Sequence, residues 1–589
     1  MSSPSTNPTT ANNPVHDDEP LPTDGDDDIH SILRKLRLDE VVGLSQNNTH
    51  KRTVRYNAAG NYISLVFLET GRYIRYLFQT WTSVIISILF GGLGLFDALS
   101  LLFFAVGGSA LLFLVLIFCL AAHFPVLVRL YYRWSAKYGG GLGLVNAGNP
   151  SLFYALTQEQ ATAAKKALGV DISKQKDNTK ERFFDFDIAK LTLQIASVIY
   201  EHDNDAIRKA VALTASDKPK TYAPQLSSIV SGIRTNLDPP SHGPGRLLED
   251  LFGEQKRDDV SQALDSEGDR KIREFCAKFG IDFEPVSELN NTSSAFAGLF
   301  WDPNSNWIIL SFKGTGPIEF GEWLSDFNAF MVPVGTHVNL FSKVHKGFKE
   351  RVFPEDVSKL GNFRPYDTIL AGTKALAKWL RKKNGFGDNV KINLWFTGHS
   401  LGCATASLVY TRMVMNDDLP KKIELRNPYL FAAPILCDRP SVESFNGKMF
   451  GDSKRIKTMW RITSNDDAVA TLLPELGDYN SLQISPNNGF AFAHLGTELK
   501  LRNEPDNSNV AGNHITYGTT VHLDSAFSKE EIAKQRAEHL AQPGEAKREL
   551  IGVFLQKIPL IGRLIAHCTI YYWDQLDRVA IGECNWVIN

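Results

Sequence analysis

Two patterns of apolar positions divide the chain. From residue 77 to residue 122 nearly every position is apolar, and Asp97 is the lone charge. From Ala295 onward short apolar runs alternate with stretches of helical spacing: "AFAGLFW", "WIILSFKG", a helical run through Lys374, "INLWF", "PYLFAAP", "IKTMWRIT" and "FAHLGTELKL". Alternation of this kind predicts an α/β domain with a mainly parallel central sheet. Between the two zones, Ile188, Leu191, Ile195, Val198 and Ile199 share one face of a predicted buried helix. Residues 138–180 read as a linker followed by a helix. Residues 214–271 are polar and broken by "LDPPSHGPG", so they read as an insertion within a domain that runs over 181–589.

Asp97 splits the first zone into 77–96 and 98–122, each long enough for a span of about 20 residues. Arg72 and Arg75 precede it, and Arg129, Arg133 and Lys137 follow it. Basic residues on both flanks of a membrane segment covering 72–137 predict a transmembrane helical hairpin with both ends in the cytosol. The alternative is one span over 98–122 with the earlier piece lying in the interface, which moves the C-terminal domain to the lumen. Residues 1–50 read as a disordered acidic tail, and their start lacks the basic and apolar regions of a signal peptide.

Composition changes this picture little. A chain of 589 residues, 43% hydrophobic, can bury a large core, and a net charge of -2 gives no reason to expect nucleic acid. Six cysteines show no metal-ligand spacing, so neither metal nor cofactor is expected and a reduced compartment fits. The sequons at Asn47, Asn290 and Asn291 would stay unmodified on a cytosolic face.

The chemistry concentrates in "KINLWFTGHSLGCATASLVY", residues 391–410. A strand pattern ends at Gly398, Ser400 stands between two glycines, and a helix pattern follows at once. This is the build of a nucleophile elbow, in which a strained serine is pushed into the open; the plainer reading is a βα turn whose serine caps the helix. A second stretch, "WIILSFKGTGPIEFGEWLSDFNAFMVPV", stops a strand at Lys313-Gly314-Thr315 and then sets Phe320, Trp323, Leu324 and Phe327 on one side of a short amphipathic helix. Thr315 is a candidate oxyanion donor, and the helix is either core or a lid with a lipid-contacting face.

The Lys-Gly-Thr strand end, Trp323 and Asp326, "VHKGF" at 344–348, "GHSLG" at 398–402, "SNDDAVATLLP" at 464–474 and "HLGTEL" at 494–499 occur in the order of class 3, fungal-type lipases. Over roughly residues 180–589 the chain resembles that family. The resemblance implies an α/β-hydrolase-like fold, a Ser-Asp-His triad, hydrolysis of acylglycerol esters and a hinged lid. Position by position, Ser400 resembles the nucleophile, and the Leu401 amide with Thr315 resembles the oxyanion hole. Asp467 resembles the acid because Ala468-Val469 follow it, with Asp466 as the alternative. Cys403 departs from the glycine usual after the elbow.

Two histidines remain as the base. His567, in "IPLIGRLIAHCTIYYWDQL", lies near the C-terminus where the family's base commonly sits, although Ala566 replaces the acidic neighbour often found before it. His514, in "GNHITYGTT", is the other candidate. The expected function is thus a membrane-anchored serine lipase working on a lipid substrate at an endoplasmic reticulum or lipid-droplet surface, with its catalytic domain facing the cytosol. The alternative is an inactive lipase-like membrane tether or lipid-binding module.

Overall fold

A computed structural model describes residues 29–46, 62–124, 126–127, 156–169, 181–202, 207, 209–210, 213, 253–264, 269–289, 296–316, 330–354, 365–451, 458–464, 467, 470, 491–501, 520–523, 531, 534, 563, 566–579 and 585–587. In chain order its main elements are α1 (Ile29–Gln46), α2 (Tyr62–Phe90), α3 (Leu95–Ala122), α4 (Gln158–Leu168), β1 (Glu181–Phe183), α5 (Phe186–Val198), α6 (Glu254–Leu264), α7 (Arg270–Phe279), β2 (Asp282–Ser287), β3 (Phe296–Trp301) and β4 (Trp307–Lys313). There follow β5 (Met331–Pro333), β6 (Lys343–His345), α8 (Lys346–Val352), α9 (Pro365–Lys383), β7 (Ile392–His399), α10 (Leu401–Asn416), β8 (Ile423–Leu425), β9 (Tyr429–Phe431) and β10 (Cys437–Asp438). The last are α11 (Arg439–Gly451), β11 (Trp460–Ser464), β12 (Phe492–Ala493), β13 (Thr497–Leu501), β14 (Thr520–Leu523), α12 (Thr569–Asp577) and β15 (Asn585–Val587).

The main sheet runs β14-β13-β11-β9-β7-β4-β3-β2, with β8 also on β7. The strands from β14 through β4 are parallel, and β3 and β2 add an antiparallel edge. Alternation along β4 explains why both faces are covered. Ile308, Leu310 and Phe312 enter one core with α1, α9 and α10, whereas Trp307 and Ile309 enter the other with α4, α5, α7 and α12. Each fully buried side chain of this size stabilises by about 1.5–3 kcal/mol. A smaller sheet, β12-β10-β6-β5, carries Phe492 and Met331, and β1 pairs with β15.

Three expectations change. Residues 29–46, read as part of a disordered tail, form α1: Ile29 and Leu33 pack in the core, and buried Arg37 donates to Glu288 at 2.8 Å. Within the segment read as an insertion, α6 packs on α1, burying Val260 and Leu264 with Leu38 and Val41. In the apolar zone the break falls at 91–94 rather than at Asp97, because Gly92 takes the left-handed φ of 62° that ends α2. Asp97 therefore sits in the first turn of α3. The two helices are antiparallel, with the Tyr62 hydroxyl donating to the Leu120 carbonyl at 2.9 Å and that of Tyr73 to the Ser109 carbonyl at 2.8 Å. Among the described residues only α3 is long and apolar enough to cross a membrane; α2 carries Glu69, Arg72 and Arg75.

Candidate active site

Ser400 is the single residue between β7 and α10, with φ 58° and ψ -131°. Such backbone costs on the order of 1–3 kcal/mol in an L-residue and persists only where neighbours impose it. Here the Ser400 amide donates to the Phe431 carbonyl at 3.1 Å, tying the turn to β9. Gly402 lets α10 pass under β4, since a Cβ there would stand 2.1 Å from the Phe312 carbonyl oxygen. The Ser400 hydroxyl does not cap the helix. Cys403 lies directly behind, its Sγ 3.0 Å from the Gly398 and Phe431 carbonyls; burial pushes the thiol well above its usual range, so it stays protonated and packs.

The Ser400 hydroxyl is 2.8 Å from His567 Nε2, and His567 Nδ1 is 2.9 Å from Asp467 Oδ2. Asp467 is supplied by the loop after β11 and is buried. Its Oδ1 accepts the Ala470 amide at 3.2 Å, while Oδ2 also accepts the Tyr572 hydroxyl at 2.7 Å. Donors on both oxygens fix the orientation of the carboxylate. Tyr572 accepts in turn from the Ser464 amide at 3.1 Å, and burial together with the Asp467 charge holds its own proton on.

His399 supports the arrangement from beneath. Its Nε2 donates to the His567 carbonyl at 2.7 Å, so Nδ1 is the acceptor and takes the Tyr200 hydroxyl at 2.9 Å. Burial, and then the nearby His567, lower His399 to about 3. It is therefore a neutral clamp. Gly314 faces the elbow, since a Cβ on it would lie 3.2 Å from Ser400 Cβ, and the residue after it, Thr315, is buried. Leu401 is the first residue of α10, so its amide is among those with no acceptor inside the helix. Buried Lys313 holds the approach to Thr315 by donating to the His202 carbonyl at 3.0 Å.

The structure thus brings Ser400, Asp467 and His567 together, with Leu401 next to the serine in the chain and Thr315 one residue beyond Gly314. Asp466, His514 and the segment with Phe320, Trp323, Leu324 and Phe327 lie outside the described residues. Tyr200 and Tyr572 went unnoticed as participants. The pair Tyr571-Tyr572 beside His567 was a signal, whereas nothing near Tyr200 in the sequence points to the elbow. Among the described residues no cluster of His, Cys, Asp and Glu could hold a metal ion.

Comparison with known proteins bears on this site. The chain is 23% identical over 246 residues to triacylglycerol lipase OBL1 of Ricinus communis, a stretch covering 36% of this chain and 46% of that protein, so the chain spans about half the length of this relative. Among solved structures it is similar to the Rhizomucor miehei lipase propeptide complex (19% identity, 38% of this chain and 58% of that one, TM-score 0.26). It is also similar to Lip2 lipase of Yarrowia lipolytica (16%, 39% and 68%, TM-score 0.26). Residues 309–476 match the family model of lipase (class 3), so the segment carrying Thr315, Ser400 and Asp467 is the one whose sequence supports the class 3 lipase family.

Proposed function

We propose that this protein is a membrane-anchored serine ester hydrolase acting on acylglycerols, with Ser400 as nucleophile, His567 as base and Asp467 as the carboxylate that orients it. The observation that carries the reading is the pair of contacts at His567, 2.8 Å to the Ser400 hydroxyl and 2.9 Å to Asp467. A serine hydroxyl is a poor nucleophile until an imidazole takes its proton. Ser400 Oγ attacks the ester carbonyl carbon while its proton passes to His567 Nε2, and Asp467 stabilises the imidazolium. The Leu401 amide and Thr315 donate to the developing oxyanion. Collapse expels the glyceride alcohol, which takes the proton from His567. Water, deprotonated by the same imidazole, then releases the fatty acid and restores Ser400.

The apolar face of Phe320, Trp323, Leu324 and Phe327 is the proposed lid, and α2 and α3 are the proposed anchor at an endoplasmic reticulum or lipid-droplet surface, with the catalytic domain on the cytosolic side. The similarity to a triacylglycerol lipase and the match to class 3 lipases support the acylglycerol class.

A fluorophosphonate probe should label the wild-type chain and not Ser400→Ala. Ser400→Ala and His567→Ala should each lower hydrolysis of defined acylglycerols in mixed micelles by several orders of magnitude while leaving membrane association unchanged. Activity of Ser400→Ala within about tenfold of wild type would sink the reading. Absence of labelling in the folded wild type would instead favour an inactive tether.

A further inference from the structure

The docking of the α2–α3 hairpin on the rest of the chain bears on how it meets lipid. Its two halves differ. The half far from the turn closes on itself, burying Tyr76, Leu112, Leu116 and Cys119. The half near the turn does not: Val84, Leu101 and Ala105 form a cluster with Ile435 and Phe492, and Trp81, Leu93, Phe104, Phe330 and Met331 pack around it. Ile435 is four residues beyond Phe431, whose carbonyl accepts the Ser400 amide, and Phe492 lies in β12. The turn half of the hairpin therefore rests against the catalytic domain close to the elbow.

The segments on either side of the hairpin rest on the same domain. Before it, α1 is pinned by Arg37 on Glu288 at 2.8 Å and by Glu40, which accepts from Ser287 and from the Glu288 amide at 3.0 Å. After it, α4 is pinned through the Leu168 carbonyl, which accepts from Trp395 at 3.1 Å and Asn393 at 3.0 Å. Helices of 29 and 28 residues are about 42 Å long, more than the roughly 30 Å of a hydrocarbon core. Two crossings would put the turn on the far side of the membrane from Ile435 and Phe492. One crossing would put α1 on the far side from Glu288. Either breaks a contact the structure contains.

We propose that the hairpin makes no crossing: it enters one leaflet of a phospholipid membrane from the side that holds the catalytic domain and lies along it. Every exposed large hydrophobic among the described residues except Leu340 falls between residues 63 and 127, including Phe67, Phe78, Leu89, Phe90, Leu95 and Phe103. Those side chains are the part that meets acyl chains. Glu69 and Arg72, paired at 2.7 Å, and Arg75 lie in the half of α2 far from the turn, a placement that suits the headgroup level. The inference rests on the membrane-anchored reading of the protein and specifies the geometry of that anchor: the elbow is carried at the lipid surface by a wall made of the hairpin itself.

The test uses the full chain in membranes of eukaryotic cells. The pairs Leu101→Cys with Phe492→Cys and Ala105→Cys with Ile435→Cys are treated with a short bis-maleimide before any detergent is added, with the single variants controlling for native cysteines. A glycosylation acceptor on a long Gly-Ser loop between Gly92 and Leu93 is scored beside the native sequon at Asn47. The expected result is crosslinking of both pairs and the same state, unmodified, at both acceptors. A glycan on the turn alone reports two crossings, a glycan on Asn47 alone, or on Asn290 or Asn291 without one on Asn47, reports one, and failure to crosslink in variants that melt like wild type removes the docked turn; any of these overturns the proposal. Release of the wild-type chain by carbonate would instead overturn the membrane-anchored reading itself.

Discussion

His399 occupies the middle of the elbow and is fully buried, holding the His567 carbonyl on one nitrogen and the Tyr200 hydroxyl on the other. Its value of about 3 against an ordinary 6.5 has a definite sign for stability. Below pH 6.5 the unfolded chain binds a proton that the folded chain refuses, so stability is full above 6.5 and falls as pH drops toward 3. The loss is at most about 1.4 kcal/mol per pH unit. Melting midpoints of the detergent-solubilised chain should decline from pH 6.5 to 4.5, and His399→Gln should flatten that decline. Tyr572→Phe removes the donor to Asp467 Oδ2 and the acceptor of the buried Ser464 amide, at a stability cost of about 1–3 kcal/mol. Stopped assays with a soluble ester should show kcat down by roughly tenfold, equivalent to about 1.4 kcal/mol. An unchanged kcat would mean that His567 and the Ala470 amide suffice to orient Asp467.

At the scale of elements, buried charge explains what pattern alone missed. The helix of residues 29–46 presses Arg37 and Glu40 into a buried group with Glu288, Ser287, His202 and Asp269. Burial lowers His202, but Asp269 at 2.7 Å and Glu288 at 3.5 Å more than offset it, so His202 is held as a second cation beside Arg37. Arg37→Met should cost about 3–5 kcal/mol because Glu288 loses its closest cation and keeps only His202 at 3.5 Å, and Arg37→Met combined with Glu288→Gln should recover much of it in a thermal melt. The apolar positions Ile29, Leu33 and Val41 were visible at near-helical spacing, but Arg34, Lys35, Arg37, Asp39 and Glu40 between them read as a solvated tail. Strands β3, β4, β7, β9, β11 and β13 were legible because each is an apolar run stopped by a turn. The short strands β5, β6, β10 and β12 were not, since two or three residues carry no periodicity. Ser400, Asp467 and His567 could be nominated from local patterns. The choice between His567 and His514 could not, because proximity across 167 residues is a property of the fold.

For the molecule as a whole, the hairpin holds nearly all the exposed large hydrophobic side chains among the described residues. About twenty half-exposed side chains, at even about 1 kcal/mol each, outweigh the ordinary 5–15 kcal/mol stability of a domain, so lipid contact rather than water decides where this surface goes. Catalytic chemistry and lipid access should then separate. Replacing residues 62–124 by a Gly-Ser linker leaves α1 its own contacts to Glu288 and leaves the Ser400, His567 and Asp467 contacts untouched. It uncovers Ile435 and Phe492, at a cost of about 1.5–3 kcal/mol each, which a domain of this size tolerates. This variant should keep fluorophosphonate labelling and hydrolyse a water-soluble short-chain ester within about threefold of wild type. Against acylglycerol in phospholipid vesicles it should fall by about a hundredfold or more, with the loss in kcat/KM and not in labelling, because the elbow is no longer carried to the lipid. Equal loss on both substrates would mean that the hairpin shapes the reacting centre itself, through Ile435 and the strand end at Phe431.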